Sequence, residues 1–332
     1  MLGLVTTDPT APRLLTIAVL TFRRPRDLDA VLPLLVEQAR RTRPLGVEAR
    51  VLVVDNDASG SGRARVEESA LAAAAPGVGA GPVSVDYVVE AVPGIASARN
   101  RALVESVESD LLVFIDDDER PSESWLTALL SLQAETGAAA VVGPVRSEYE
   151  VEPDPFIVEG RFFDRRRLPT GTAVEVAATN NLLLDLGEVR RQGLSFDLAL
   201  GQLGGEDTLF TRGLVAGGGT ILWCAEAVVT DVVPAHRVTR RWVLQRAYSS
   251  GNGWSLTSVM LSARGPARLV TRLRLTARGG VRVAGGVARL VVGTVVRSLG
   301  QRARGLRTIA RGAGMVAGAW GAGYREYGRV DG

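Results

Sequence analysis

The chain of 332 residues contains no lysine, one histidine (His236) and one cysteine (Cys224). A single cysteine excludes an intramolecular disulfide and a cysteine-based zinc centre. A single histidine excludes two-histidine metal sites and mechanisms that need a histidine pair. Aromatic residues are scarce at 5%. No run of about 20 apolar residues occurs, which argues against a membrane-spanning helix. Residues 1–12 lack the basic-then-apolar layout of a secretory signal, so a reducing, cytoplasmic location is expected. Cys224 follows Trp223 in a strand-like run with no partner cysteine, and it reads as core.

What is present fits an ordinary soluble protein, with 46% apolar and 23% charged residues. Wholesale disorder and collagen-like architectures are excluded, and the length suits one large domain or two of ordinary size. The net charge of +3 conceals opposite halves. From Ala263 onward 14 arginines face only Glu326 and Asp331, a balance of +12, whereas the preceding residues carry −9. The pI of about 9.5 suggests nucleic acid at first sight. The basic segment lacks interleaved aromatics, however; they come only at its end, as Trp320, Tyr324 and Tyr327. Nucleic acid is therefore not an expected partner.

Short apolar, β-branched runs alternate with stretches of helical spacing. Strands are predicted at Leu15–Phe22, Ala49–Val54, Val83–Val89, Leu111–Ile115 and Ala138–Val142. Helices are predicted around Leu28–Val36, Gly60–Ala75, Ile95–Val107 and Glu123–Glu135, with a Gly/Pro linker at Pro76–Pro82. Such alternation predicts an α/β fold with a mostly parallel central sheet flanked by helices. Beyond Gly143 the pattern predicts a loop over Tyr149–Arg167 and a strand over the sheet edge at Val174–Leu184. A helix at Gly204–Gly217, strands at Thr220–Trp223 and Ala227–Val233, and a long helix at Thr239–Leu261 complete the reading.

Ligands of open α/β sheets bind beyond the carboxyl ends of the strands. Asp55 and Asp57 follow the second strand, and Asp116, Asp117 and Asp118 follow the fourth. Acids crowded at one edge repel unless something positive lies between them, and oxygen donors suit Mg²⁺ or Mn²⁺. A solvated, helix-capping turn is the plainer alternative. Residues 93–100, Pro-Gly-Ile-Ala-Ser-Ala-Arg-Asn, form a strand-to-helix junction whose free N–H groups and Arg99 could meet a phosphate, although a surface arginine explains Arg99 equally well. Gly204-Gly205-Glu206-Asp207 places two acids at a helix start. Asp207 is then either a cap or a base within reach of a proton. His236 is either a structural hydrogen-bonding group or a further ligand.

These residues, in this order, resemble glycosyltransferase family 2 with the GT-A fold. The resemblance rests on LTIAVLTFRRP at 15–25, VLVVDNDAS at 51–59, GIASARNRAL at 94–103 and LLVFIDDDERPSESWL at 111–126. It continues through VVGPV at 141–145, GGEDTLF at 204–210 and HRVTRRWVLQRAYSSGNGW at 236–254. It covers about 14–262, most closely the glucosyltransferases of succinoglycan-type exopolysaccharide assembly, and divides into a nucleotide-sugar half (14–125) and an acceptor half (126–262). Residues 1–13 are then a tail and 263–332 an Arg-rich helical extension.

The resemblance implies that Thr21, Arg23, Asp55 and Asn56 hold the nucleoside and that Arg99 meets the nucleotide side of the donor. Asp116 and Asp118 take the metal-binding DxD places, with Asp117 between them. Asp207 becomes the catalytic base, and His236 a further metal or diphosphate ligand. Arg246 falls near the arginine of the processive QxxRW motif, which is absent as written, so a single sugar is added. The implied reaction is inverting transfer from a nucleotide-sugar, a UDP-sugar by family frequency, to a saccharide or lipid-linked acceptor.

Arginines at 268, 272, 282 and 289 stand among Leu, Val and Ala, so 263–332 is expected to lie on anionic membrane; helices packed on the domain or on a partner chain are the alternative. Its many glycines weaken any helix. A nucleotidyltransferase ranks second as an enzyme, because the turn after the first strand, Thr21–Pro25, has no glycine for a phosphate loop. A non-catalytic scaffold would show losses at the DxD or ED positions, and none is seen.

Overall fold

The computed structural model describes residues 12–74, 81–201 and 204–323. Most of the expected N-terminal tail and of the Pro76–Pro82 linker, together with Tyr324 and Tyr327, lies outside them. The first half alternates as expected: β1 (Arg13–Thr21), α1 (Pro25–Arg41), β2 (Val47–Asp55), α2 (Arg63–Ala74), β3 (Val85–Val89), α3 (Ile95–Glu105) and β4 (Leu111–Asp116). These strands lie parallel in the order β3-β2-β1-β4. Side chains of a strand alternate between faces. Leu15, Ile17 and Val19 of β1 accordingly join the Leu28–Leu35 stripe of α1 in one core layer, while Ala18 and Leu20 join Ala96, Ala98 and Ala102 of α3 in the other.

The second half continues as β5 (Glu119–Pro121), α4 (Trp125–Thr136), β6 (Ala140–Val142), β7 (Val145–Tyr149), α5 (Pro155–Glu159), β8 (Asn181–Asp185), α6 (Leu186–Arg191), α7 (Glu206–Ala216), β9 (Ile221–Trp223) and β10 (Val229–Val233). The large sheet runs on from β4 as β8-β6-β9, and β5-β10-β7 form a small second sheet. Two expectations are corrected here. Within Val174–Leu184 the strand begins only at Asn181, and it lies mid-sheet, antiparallel to both β4 and β6. Asn181 fixes that start by accepting from Trp125 Nε1 at 2.8 Å and donating to the carbonyls of Pro144 and Ala227. The expected loop Tyr149–Arg167 contains α5, capped by Asp154, with Phe156 and Ile157 buried against Val243 and Ala303. Cys224 is buried, as expected of a core residue.

Three helices close the chain: α8 (Arg240–Met260), α9 (Pro266–Val295) and α10 (Leu299–Ala319). The glycines that weaken these helices in isolation are their contact surface. A Cβ on Gly312 would stand 2.7 Å from the Gly279 carbonyl oxygen, and one on Gly305 would stand 2.8 Å from that of Gly286. Gly314 and Gly318 lie against Tyr248 and Asn252 of α8 in the same way. Close packing outweighs the propensity cost because backbones meet where side chains would hold them apart. The extension is thus a hairpin packed on α8, while Val281, Val291, Val292 and Val295 of α9 stay exposed. No helix among the described residues is long and apolar enough to cross a membrane.

Candidate active site

The ends of β1, β2 and β4 deliver the predicted acids to one edge, because parallel strands present their carboxyl ends together. Asp55 is fully buried and accepts from Gly62 N (2.8 Å), Tyr87 Oη (2.7 Å) and Asp57 N (3.0 Å). Burial and the Asp55 carboxylate raise the Tyr87 phenol well above its ordinary value. Asn56 donates to the carbonyls of Glu90 and Val92 and accepts from Gly94 N, which ties the end of β2 to the loop before α3. Gly94 has φ 126°, and a Cβ there would meet the Gly201 backbone. Arg23, in the left-handed region at φ 56°, is exposed and reaches Asp57 at 3.2 Å. Hydrogen bonds from Ser59 hold Asp57 below the ordinary carboxylate range.

The residues beyond β4 carry the densest charge. Thr21 Oγ1 donates to Asp117 at 2.8 Å. Arg24 Nη1 donates to Asp117 (2.9 Å) and Asp118 (2.8 Å), and Arg237 Nη1 lies 3.7 Å from Asp118. Glu119 opposes Asp231 in the β5–β10 ladder and accepts from Asn180 and Asp116 N. Burial, then the nearby Asp118, pushes Asp116 up to about 7. Burial pushes Asp117 up to about 6 despite Arg24 and the Thr21 hydrogen bond. Glu119 is held well above its ordinary range by burial and Asp116, and Asp231 is raised by burial against the pull of Arg165. Desolvated like charges of this kind favour protonation or a cation.

The ED residues open α7, which the Arg99–Glu206 pair ties to α3. Glu206 is almost wholly buried and ion-paired with Arg99, whose guanidinium stacks 5.6 Å from the Phe196 ring centroid. Burial raises Glu206 against the opposing charge of Arg99. The Arg99 charge also opposes, without overcoming, the rise that burial causes at Asp116. Asp207 is partly exposed, and its Oδ1 accepts from Thr208 N (2.6 Å) and Thr208 Oγ1 (3.2 Å).

The structure gathers Thr21, Asp116, Asp117 and Asp118 and brings Arg99 to Glu206. His236 is exposed on the short 3-10 turn Ala235–Arg237, and Arg246 is exposed on α8. Among the described residues no three acids, histidines or cysteines stand as a ready metal-holding group, so Asp116, Asp118 and His236 do not form the expected set. The all-oxygen carboxylate pair Asp116 and Asp118 still fits a hard divalent ion whose other ligands come from a diphosphate and water. Sequence reasoning passed over Arg24, Arg237, Glu119 and Asp231. Arg24 stood inside the TFRRP motif and Arg237 directly after His236, but the pairing of Glu119 with Asp231 exists only once β5 meets β10.

Residues 16–181 match the family model described as glycosyl transferase family 2. The chain is also 37% identical over 235 residues to the succinoglycan biosynthesis protein ExoM of Rhizobium meliloti (strain 1021), covering 71% of this chain and 72% of that one. The chain belongs to glycosyl transferase family 2. Among solved structures, this glycosyltransferase resembles S. aureus TarS 1-349 in complex with UDP, with TM-score 0.51 and 14% identity over 96% of this chain and 94% of that one. It also resembles GalNAc-T7 with UDP, GalNAc and Mn²⁺, with TM-score 0.51 and 12% identity over 75% of this chain and 51% of that one. The transferase spans about half the length of GalNAc-T7. At such identities the likeness speaks for the fold, which is GT-A.

Proposed function

We propose that this transferase moves one sugar from a nucleotide-sugar, a UDP-sugar first, to a hydroxyl of a lipid-carried saccharide in cell-surface polysaccharide synthesis, with inversion and with Mn²⁺ or Mg²⁺. The observation that carries the reading is the buried Arg99–Glu206 pair. It anchors the start of α7, and with it Asp207, to the helix whose Arg99 also acts on Asp116 at the acidic edge. The ExoM relative and the UDP complexes of TarS and GalNAc-T7 support the same choice of substrate class.

Asp207, oriented through Thr208, takes the proton of the acceptor hydroxyl. The freed oxygen bonds to the anomeric carbon as the bond to the diphosphate oxygen breaks, and that electron pair leaves with the nucleotide. Arg24 and Arg237, beside Asp118, supply positive charge where the diphosphate departs. A divalent ion held by Asp116 and Asp118 would supply further neutralisation of the leaving group. Arg23 and Asp57 stand at the nucleoside end, and the exposed apolar face of α9 rests on the membrane that carries the acceptor. Asp207→Asn is expected to bind UDP-sugar normally and to lose about 100-fold in turnover; near-normal turnover would remove Asp207 from this role.

A further inference from the structure

The C-terminal hairpin holds a concentration of positive charge that the transfer site does not use. Arg282 and Arg289 lie two turns apart on α9, and Arg304, Arg307 and Arg311 follow three- and four-residue steps on α10, so each set shares one helix face. The Gly279–Gly312 and Gly286–Gly305 contacts bring the two rows together. With Arg161, just after α5, these six arginines line a cavity of about 200 Å³.

The cavity wall is built and oriented. Arg304 Nε donates to the Glu159 carbonyl at 2.9 Å, Arg307 Nη1 donates to that of Arg161, and Arg289 Nε donates to Gln301 Oε1 at 2.6 Å. Among the described residues the one ion pair of this lining is Arg161–Asp164. Burial, with Arg282 and Arg307 close by, holds the Arg311 guanidinium below its ordinary value, and burial does the same to Arg307. Guanidinium groups stay charged, so their mutual repulsion is relieved by an anion rather than by deprotonation. Planar forks of N–H donors match phosphate oxygens two at a time.

We propose that this cavity binds a phosphate or diphosphate ester, and that the ester belongs to the acceptor's carrier rather than to the sugar donor. The second half rests on the transferase reading above; the anion site itself does not. Its basis is the chain between the two places. Arg165, four residues after Arg161, pairs at 3.2 Å with Asp231, which opposes Glu119 in the acidic cluster. Four residues span at most about 14 Å. Arg161 of the cavity wall is thus tied within about 14 Å to a residue that pairs with the acidic edge, and a phosphate held there can keep the carrier in place while its sugar reaches the transfer site.

The test is isothermal titration of the full chain with sodium diphosphate in EDTA, which withholds divalent ions from the donor site. The double variant R282Q/R311Q is expected to bind at least about tenfold more weakly than wild type. R274Q/R278Q removes the same charge from exposed positions of α9 outside the cavity and is expected to bind like wild type. No binding by wild type, or equal weakening by both double variants, overturns the site. The melting temperature checks that R282Q/R311Q folds as wild type does. Vesicles of phosphatidylglycerol in phosphatidylcholine separate the sources. Vesicle binding that diphosphate displaces and R282Q/R311Q lowers supports a lipid-borne phosphate, whereas diphosphate binding indifferent to vesicles supports a soluble ester. For the acceptor half, R282Q/R311Q should raise the acceptor KM and spare the donor KM, and the reverse overturns it. Failure of wild type to turn over any UDP-sugar with Mn²⁺ would defeat the transferase reading while leaving the diphosphate titration as it stands.

Discussion

Arg99 and Glu206, 107 residues apart, form an ion pair whose side chains are only 8% and 3% exposed. A buried pair adds little beyond its own desolvation, but removing one partner strands the other. Glu206→Ala is expected to destabilise the fold by about 3–5 kcal/mol. The double variant R99M/E206L should recover most of that loss. Equal melting temperatures for Glu206→Ala and wild type would deny the pair its anchoring role.

The acidic edge makes stability depend on pH. Asp116 at about 7, Asp117 at about 6, and the raised Glu119 and Asp231 all bind protons more tightly when folded than when unfolded. The contribution of Asp116 and Asp117 is complete below the ordinary carboxylate range near 4 and is lost as pH rises to about 7, and the raised Glu119 and Asp231 act in the same direction. Thermal melts are expected to fall between pH 5 and pH 8, and Asp116→Asn should fall less. A wild-type melting temperature that climbs over this interval contradicts the cluster.

Chelation gives a separate measurement. Asp118→Ala should abolish the Mn²⁺-dependent part of UDP affinity, and EDTA should bring wild type to the same weak binding. Identical UDP affinity with and without Mn²⁺ in both proteins would show that these carboxylates hold no ion.

The glycines of the hairpin divide by their surroundings. Gly280 and Gly285 face open space, so alanine there should stabilise the helix by about 1 kcal/mol. A Cβ on Gly314 would come within 2.0 Å of the Tyr248 carbonyl oxygen, and Gly314→Ala should destabilise despite its better propensity. Chemical denaturation distinguishes the two, and stabilisation by all three substitutions would mean that α8 and α10 do not meet there.

The strands β1 to β4, their helices and the acids that close them were legible in the residues, because period and turn chemistry are local properties. The same locality explains the misreadings. Asn181–Asp185 is as apolar as an edge strand, and only its pairing with β4 and β6, each far along the chain, places it mid-sheet. Phe156 and Ile157 looked like loop residues among charges until Val243 and Ala303 covered them.

By itself the sequence determined the alternation of strands and helices, the family motifs and which residue types end at the sheet edge. Tertiary structure decided which charges meet: Arg24 across Asp117 and Asp118, Arg99 against Glu206, and six arginines around one cavity. It also turned the glycines of α9 and α10 from weak helix formers into a packing surface. The reason is that charge interaction and close packing depend on distance in space. The order of residues along the chain does not state that distance until the backbone has folded.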